Sequence, residues 1–424
     1  MTSTVDQRVQ SCPDCGTEVR TQYGFVPWCA DCDWNVDPGG AGEPAGRLET
    51  LRRGLARRHG ERLYAEVSAD AVLRPRRDLH GMLALALALA VHGVTAALIV
   101  GGLLLVVLGW GTALPLLGAL CLVLAFALRP RFGRLPEHGP LLLRGDAPEL
   151  FALIDEVAAA VGTTGVHTVA ITDEVNASVS TYGIRQRRVL TVGLGLWEIL
   201  TPQERIALLG HELGHYANGD ARHGLVIGNA LQSLGAWWYL LARTPNPTFA
   251  EAAVNAVCLL PRCAVLGLLM LLDQLTLRAT QRGEYLADSW AARCGSTEAA
   301  VGLIDRLLTS DSAATTLLRE SNALKAGRPG DGGGRDAWRG LWERLAAHMD
   351  SVPASEHERL LRRGARHGHG VDSTHPPTHL RRSRLLAAPP VPATVTADTA
   401  RRTALDAELC AARDRVARRV VNGR

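Results

Sequence analysis

Two groups of residues in this 424-residue chain have the types and spacing of metal ligands. In LLGHELGHYANGD (208–220), His211 and His215 stand four apart. On an α-helix that spacing puts both imidazoles on one face, where each can aim a ring nitrogen at a single ion. Glu212 sits beside the first histidine, where it can take a proton from water on the metal without ligating it. A catalytic ion needs a third protein ligand and an open position for water. In TQRGEYLADSWAARCG (280–295), Glu284 and Asp288 share a helical face; Glu284 can be the third ligand, and the other reading of the spacing is a solvated acidic pair near Arg282 and Arg293. Asp288, one turn on, is expected to accept from the non-metal nitrogen of a ligand histidine and fix its ring.

The second group is CPDCGTEVRTQYGFVPWCADC, which holds Cys12, Cys15, Cys29 and Cys32 as two C-x-x-C pairs thirteen residues apart. Facing knuckles of this kind give closed tetrahedral sulfur ligation, the chemistry of a structural Zn2+ ribbon. The other five cysteines (Cys121, Cys258, Cys263, Cys294, Cys410) are scattered. An odd total without framework spacing argues against a disulfide scaffold and for a reducing compartment.

These residues need elements to position them. TPQERIALLGHELGH reads as a helix with Thr201 as N-cap, Pro202 at its first position and Glu204 completing a capping box. Ile206, Leu208, Leu209 and Leu213 give it an apolar side, and Asn218–Gly219 a stop signal. Upstream, Leu79 to Leu128 lacks any Asp, Glu, Lys or Arg and is too long for one crossing. It divides at GWGTALP (109–115) into transmembrane helices over 81–108 and 112–128. Arg74, Arg76 and Arg77 precede this hairpin and Arg129, Arg131 and Arg134 follow it, so both ends are expected in the cytoplasm, with the ribbon and the HELGH segment. Two further apolar stretches, 224–242 and 252–272, read either as a second membrane hairpin or as amphipathic helices, with Arg262 the objection to a crossing. Residues 52–78 read as a basic juxtamembrane helix, either resting on anionic lipid or merely solvated, and 327–336 as a glycine-rich loop. The formal charge of +4 is too small to suggest nucleic acid as a partner.

Four segments together carry a resemblance: HELGHYANGD, RGEYLADSWAA, DEVNASVSTYGIRQRRVLTVGLGLWEIL (173–200) and STHPPTHLRRSRLL (373–386). Over about residues 146–385 the chain resembles the HtpX-like and CAAX-prenyl-endopeptidase-like membrane metalloproteases of metallopeptidase family forty-eight. The resemblance implies His211, His215 and Glu284 as ligands of a catalytic zinc and Glu212 as general base, with Asp288 supporting a ligand. It implies that Asn176 and Ala177 lie on an edge strand that pairs with an extended substrate. His375 would approach the site to stabilise the developing oxyanion or gate access, and Arg381 matches the basic position after His-Pro. The ribbon is not a general family feature. Ser178 stands where a Phe commonly follows Asn-Ala, and Arg382 where the family often has Ile.

The expected fold is mainly α with a small β-sheet, a zincin-like α+β catalytic domain joined to a transmembrane helical hairpin and an N-terminal zinc ribbon. The expected order is ribbon (1–40), basic linker and juxtamembrane helix (41–78), hairpin (79–130), metallopeptidase domain (146–392) with the apolar helices inserted, and a charged helical tail (393–424). The expected function is a multi-pass inner-membrane endopeptidase with two zinc ions, cutting cytoplasmic or membrane proteins in the manner of HtpX. The alternative is a catalytically silent zinc-binding membrane adaptor, against which an intact Glu212 argues.

Overall fold

The computed structural model describes residues 7–39, 47–70, 73, 79–130, 133–137, 139–217, 220–326, 338–367 and 375–422. The proposed stop at Asn218–Gly219 and the 327–336 loop lie outside them. At the N-terminus, β1 (Gln7–Ser11) and β2 (Glu18–Gln22) pair antiparallel, from Gln7 opposite Gln22 to Ser11 opposite Glu18. The turn between them carries the first cysteine pair. α1 (Arg47–Ala69) follows, then two apolar helices, α2 (Leu79–Leu108) and α3 (Leu114–Leu128). The bend between these two uses Gly111 at φ +90° and a proline in the first turn of α3.

The catalytic domain opens with β3 (Leu141–Leu142), α4 (Pro148–Val161) and β4 (Thr168–Thr172). β5 (Ala177–Tyr182) and β6 (Arg187–Gly193) complete a four-stranded sheet of order β3-β4-β6-β5. β4 and β6 run parallel, the other pairs antiparallel, and β5 is an outer strand. All of β4 is buried, and the apolar face of α4 (Leu150, Ile154, Val157, Val161) joins it in the main core. After α5 (Leu194–Trp197) comes α6 (Pro202–Ala217), which carries HELGH. Its capping box forms: Glu204 N–H donates to Thr201 Oγ1 at 3.3 Å, and Thr201 N–H to Glu204 Oε2 at 2.8 Å.

α7 (Asp220–Leu240), α8 (Phe249–Val257) and α9 (Leu259–Gly295) follow. The break between α8 and α9 falls at Cys258, three residues before Pro261. A proline ring there clashes with the carbonyl four residues back, so a continuous helix is not tolerated. α7 and α9 pack against α2 through Ala84, Ala88, Val91, Ala230, Leu234, Val265 and Leu272. α2 and α9 are long and apolar enough to cross a membrane, and α3 is a shorter apolar helix. Only 17% and 11% of the apolar windows of α2 and α9 are buried, which leaves apolar surface far larger than a soluble protein exposes. Arg262 lies at the end of α9 beside the α7–α8 turn, with its guanidinium 4.3 Å from the centre of the Trp238 ring. The objection it raised weakens there, because an arginine at a helix end reaches the interface.

The chain closes with α10 (Thr297–Leu308), α11 (Ser310–Ala326), α12 (Leu341–Asp350), α13 (Ala354–His367), α14 (Thr378–Ala387) and α15 (Thr399–Asn422). Two expectations change here. Residues 393–424 are not a separate tail, because Leu405, Leu409, Ala412 and Val416 of α15 are buried in the main core. Their spacing of three or four makes one apolar face. Glu408 also accepts from the Glu149 and Leu150 N–H groups, at 2.8 and 3.0 Å, and so caps α4. The basic helix α1 is likewise neither free nor simply solvated. Leu63 and Val67 pack on Tyr285, and Arg282 donates to Asp70 Oδ2 at 2.8 Å.

α6 and α9 approach with little side chain between them. A Cβ on Gly214 would lie 3.2 Å from Ala287 Cα, and one on Gly295 would lie 2.8 Å from Ala207 N. Gly295→Ala is therefore expected to destabilise the detergent-purified protein by about 1–3 kcal/mol, the cost of an overpacked methyl, read as a lower denaturation midpoint. An unchanged midpoint would show that the two helices separate without cost.

Candidate active site

α6 presents His211 and His215 on the face turned to α9, and α9 returns Glu284 between them. His211 Nε2 lies 3.3 Å from His215 Nε2. Glu284 Oε2 is 3.7 Å from His211 Nε2, and Oε1 is 3.7 Å from His215 Nε2. Three donor atoms around a tetrahedral ion at 2.0–2.1 Å stand about 3.3–3.4 Å apart, so the trio is close to the edge lengths of such a site. Its chemistry fits as well: two imidazoles and a carboxylate, with Glu284 Oε2 buried and lacking a well-aligned hydrogen bond. Glu212, 7% exposed, stands next to His211 on α6 and within electrostatic reach of Glu284, His375 and Arg381.

Behind the trio runs a charged relay. His211 Nδ1 is 3.1 Å from Asp288 Oδ1, within ion-pair distance although outside hydrogen-bond alignment. Arg381 on α14 donates to Asp288 twice, Nε to Oδ2 at 2.8 Å and Nη2 to Oδ1 at 2.6 Å. Its Nη1 also lies 3.6 Å from Glu284 Oε2. Sequence reading found only a basic position after His-Pro and not this clamp. The signal available in the sequence was an arginine six residues after His375; its burial on α14, together with Leu385, is visible only in the structure.

His375 stands at the mouth, 63% exposed by side chain, with Nδ1 2.9 Å from Glu284 Oε2. Ala177 opens β5, with Asn176 just before it; Asn176 Oδ1 accepts from Ala177 N–H at 2.9 Å, and Asn176 O accepts from Gly193 N–H on β6 at 2.9 Å. By antiparallel alternation the backbone groups of Ala177 and Val179 then face outward. Tyr216, the residue after His215, donates its hydroxyl to Ser180 O at 2.6 Å and ties α6 to this strand. Nothing in the sequence singles Tyr216 out.

From Gln281 onward α9 is buried within the catalytic domain, beyond its apolar run. Burial pushes the Glu212 carboxyl from 4.5 up to about 7, with His211 pulling the other way. Burial, then the neighbouring His211, holds His215 down to about 4. For Glu284 burial works against ionisation, but His375, His211 and Arg381 outweigh it and hold the carboxylate at about 2. Burial also opposes the charge on Asp288, yet Arg381 keeps it ionised well below the usual range. His211 is drawn upward because Asp288 outweighs the burial that disfavours its cation. Ligation through Nε2 needs a neutral ring whose one proton sits at Nδ1, on the side where Asp288 waits.

Away from this site, the four ribbon cysteines also converge. Cys12 Sγ is 3.5 Å from Cys32 Sγ, and Cys15 Sγ is 3.6 Å from Cys29 Sγ. Tetrahedral thiolates at 2.3 Å from an ion would stand about 3.8 Å apart, so this set fits a metal too.

A histidine pair and a glutamate on close-packed helices, with a second buried glutamate beside them, define an HExxH metallopeptidase. The family model Peptidase family M48 matches residues 145–388, more than half of the chain, and the chain belongs to this family. A protein described as "Protease HtpX homolog" from Syntrophobacter fumaroxidans is 24% identical over 157 residues. That match covers 36% of this chain and 55% of the relative, so the chain spans about half the length of the curated relative it matches. No solved structure matches the chain.

The raised Glu212 pKa predicts a pH effect in the metal-free protein. Between 4.5 and about 7 the unfolded state ionises this carboxyl while the folded state keeps it protonated, so stability falls as pH rises through that window. The full loss, on the order of 3 kcal/mol, is present above pH 7 and absent below 4. Chelator-treated Glu212→Gln should therefore be more stable than chelator-treated wild type at pH 8 and equal to it at pH 4, in denaturant titrations.

Proposed function

We propose that this chain is a membrane-bound, zinc-dependent endopeptidase that hydrolyses peptide bonds of cytoplasmic or membrane proteins, as an HtpX-like enzyme would. The observation that carries the proposal is Glu212, a buried carboxyl beside one of the histidines that can hold the ion. A pure binder has no use for a base there. His211, His215 and Glu284 are the proposed ligands, and zinc suits this nitrogen and oxygen set. When bound, the ion supplies Lewis-acid polarisation of the scissile carbonyl and acidifies water.

Glu212 receives the proton of the attacking water on its carboxylate and passes it to the leaving amine. Asp288, held by Arg381, keeps the His211 proton at Nδ1 and its Nε2 free to ligate. His375 is placed at the mouth to donate to the carbonyl oxygen as charge develops on it. The outward Ala177 carbonyl and Val179 N–H and carbonyl would pair with an extended substrate through its backbone, which tolerates many sequences. The exposed apolar faces of α2, α3 and α9 support a bilayer around the bundle; α7, which packs against α2 and α9, would complete a second crossing pair. Arg129 and Arg134 after α3 support a cytoplasmic site in the inner membrane. The four cysteines would hold a second, structural zinc.

Detergent-purified protein is expected to cleave an unfolded test protein and to contain two zinc ions per chain. Glu212→Gln should keep both ions and lose about 10²–10⁴-fold in kcat/KM, the range of general-base catalysis. Metal in both proteins with cleavage by neither, across substrates and pH, would overturn the protease reading in favour of a silent adaptor.

A further inference from the structure

The ribbon is docked on a particular helix, and that helix leads to the catalytic arm. Its second knuckle, Cys29 to Val36, faces α13. Arg359, 4% exposed, donates from Nη1 to Val36 O at 2.7 Å, while Nε and Nη2 hold Glu356 at 2.8 and 2.7 Å. Arg362 donates to Asp33 Oδ1 at 2.6 Å and to Ala30 O, and its guanidinium lies 5.1 Å from the Trp28 ring centre. Arg366 donates to Asp33 Oδ2 at 2.6 Å, and Trp28 Nε1 donates to Ser355 O at 3.1 Å. Positions 359, 362 and 366 fall on one helical face. Asp33 itself is held at φ +59°, a left-handed turn set between Cys32 and Trp34, where Cys29 N–H donates to Trp34 O. The carboxylate that both arginines grip is therefore aimed by the fold of the cysteine knuckle.

α13 packs against α14, which carries Arg381, and His375 lies between the two helices in sequence. Both residues touch the proposed catalytic trio or its relay: His375 meets Glu284, and Arg381 clamps Asp288. We propose that the four-cysteine ribbon is a brace that sets the His375–Arg381 arm against the catalytic site, with Asp33, Arg362 and Arg366 as its positioning residues. A ribbon whose knuckle is filled by metal holds Asp33 in the geometry that grips α13. A ribbon without metal releases α13 and loosens the arm. The inference rests on the protease reading for its kinetic consequence but not for its structural one.

The test uses the full-length, detergent-purified protein and leaves all four cysteines in place. Asp33→Asn removes the charge while keeping a residue that tolerates positive φ. Arg362→Glu reverses the other side, and Arg362→Lys is the conservative partner. Amide exchange over 354–387, metal content, and kcat and KM on an unfolded protein are measured for each. Asp33→Asn and Arg362→Glu should speed exchange in α13 and α14 by about 10-fold, the loss of one hydrogen bond to a charged group. kcat should fall with KM little changed and both metals retained, and Arg362→Lys should recover part of both effects. Faster exchange confined to 7–39, with 354–387 and kcat at wild-type values, would overturn the brace. If the wild type cleaves nothing, the protease reading fails while the exchange result still decides whether the ribbon braces the arm. An Arg362→Glu protein that does not fold leaves the decision to Asp33→Asn and Arg362→Lys.

Discussion

The site depends on how closely α6 and α9 approach. A glutamate side chain reaches only a few ångströms from its backbone, so Glu284 meets both imidazoles only if nothing bulky stands between the two helices. HELGH supplies that condition itself. A Cβ on Gly210 would lie 2.9 Å from Cys294 Cβ, and one on Gly214 would lie 3.2 Å from Ala287 Cα. These glycines lie four apart, so they share a helical face along the helix as the histidines do. The rest of the catalytic domain works to keep this contact. The capping box at Thr201 fixes where α6 starts, while α4 and α10 join it in the main core.

Charge balance explains why so many ionisable groups can be buried together. With both imidazoles neutral, Glu212, Glu284 and Asp288 bring three negative charges and Arg381 one positive, a net of minus two. Burying unpaired charge is costly, and the groups respond by shifting their pKa values. In the absence of an ion, Glu212 answers by holding its proton to about 7. A divalent cation would close the balance and let all three carboxylates ionise. The double grip of Arg381 keeps Asp288 paired beside His211 Nδ1, while Glu284 faces Nε2.

What the sequence made legible was whatever is encoded at helical or knuckle spacing. The histidine pair, the Glu284–Asp288 pair, the capping box at Thr201 and the two C-x-x-C pairs each sit within a few residues, and local geometry alone brings their members together. The apolar hairpin was legible because length and lack of charge carry the signal. The Arg381 clamp is not legible because its partner is 93 residues away, and one arginine in THLRRSRLL looks like the next. The docking of Arg362 on Asp33 spans 329 residues and shows no pattern on either side. α15 reads as a tail because its many arginines mask a regular apolar face at Leu405, Leu409, Ala412 and Val416.

α9 joins the two halves of the molecule without a joint. Its first part packs with α2 and α7, and its last part carries Glu284 and Asp288 into the catalytic domain. Glu284 lies twelve residues beyond Leu272, the end of the apolar run, or roughly 18 Å along a helix rising 1.5 Å per residue. The break that Pro261 imposes falls at the opposite end, away from Glu284. Arg278 and Arg282 lie between the apolar run and Glu284, and α1 grips both, through Glu66 and Asp70. A helix held on this side and packed in the bundle on the other cannot tilt at one end alone. The height of the site above the apolar bundle is thus fixed by one continuous element, and α1, which precedes the bundle in the chain, is the collar that keeps it there.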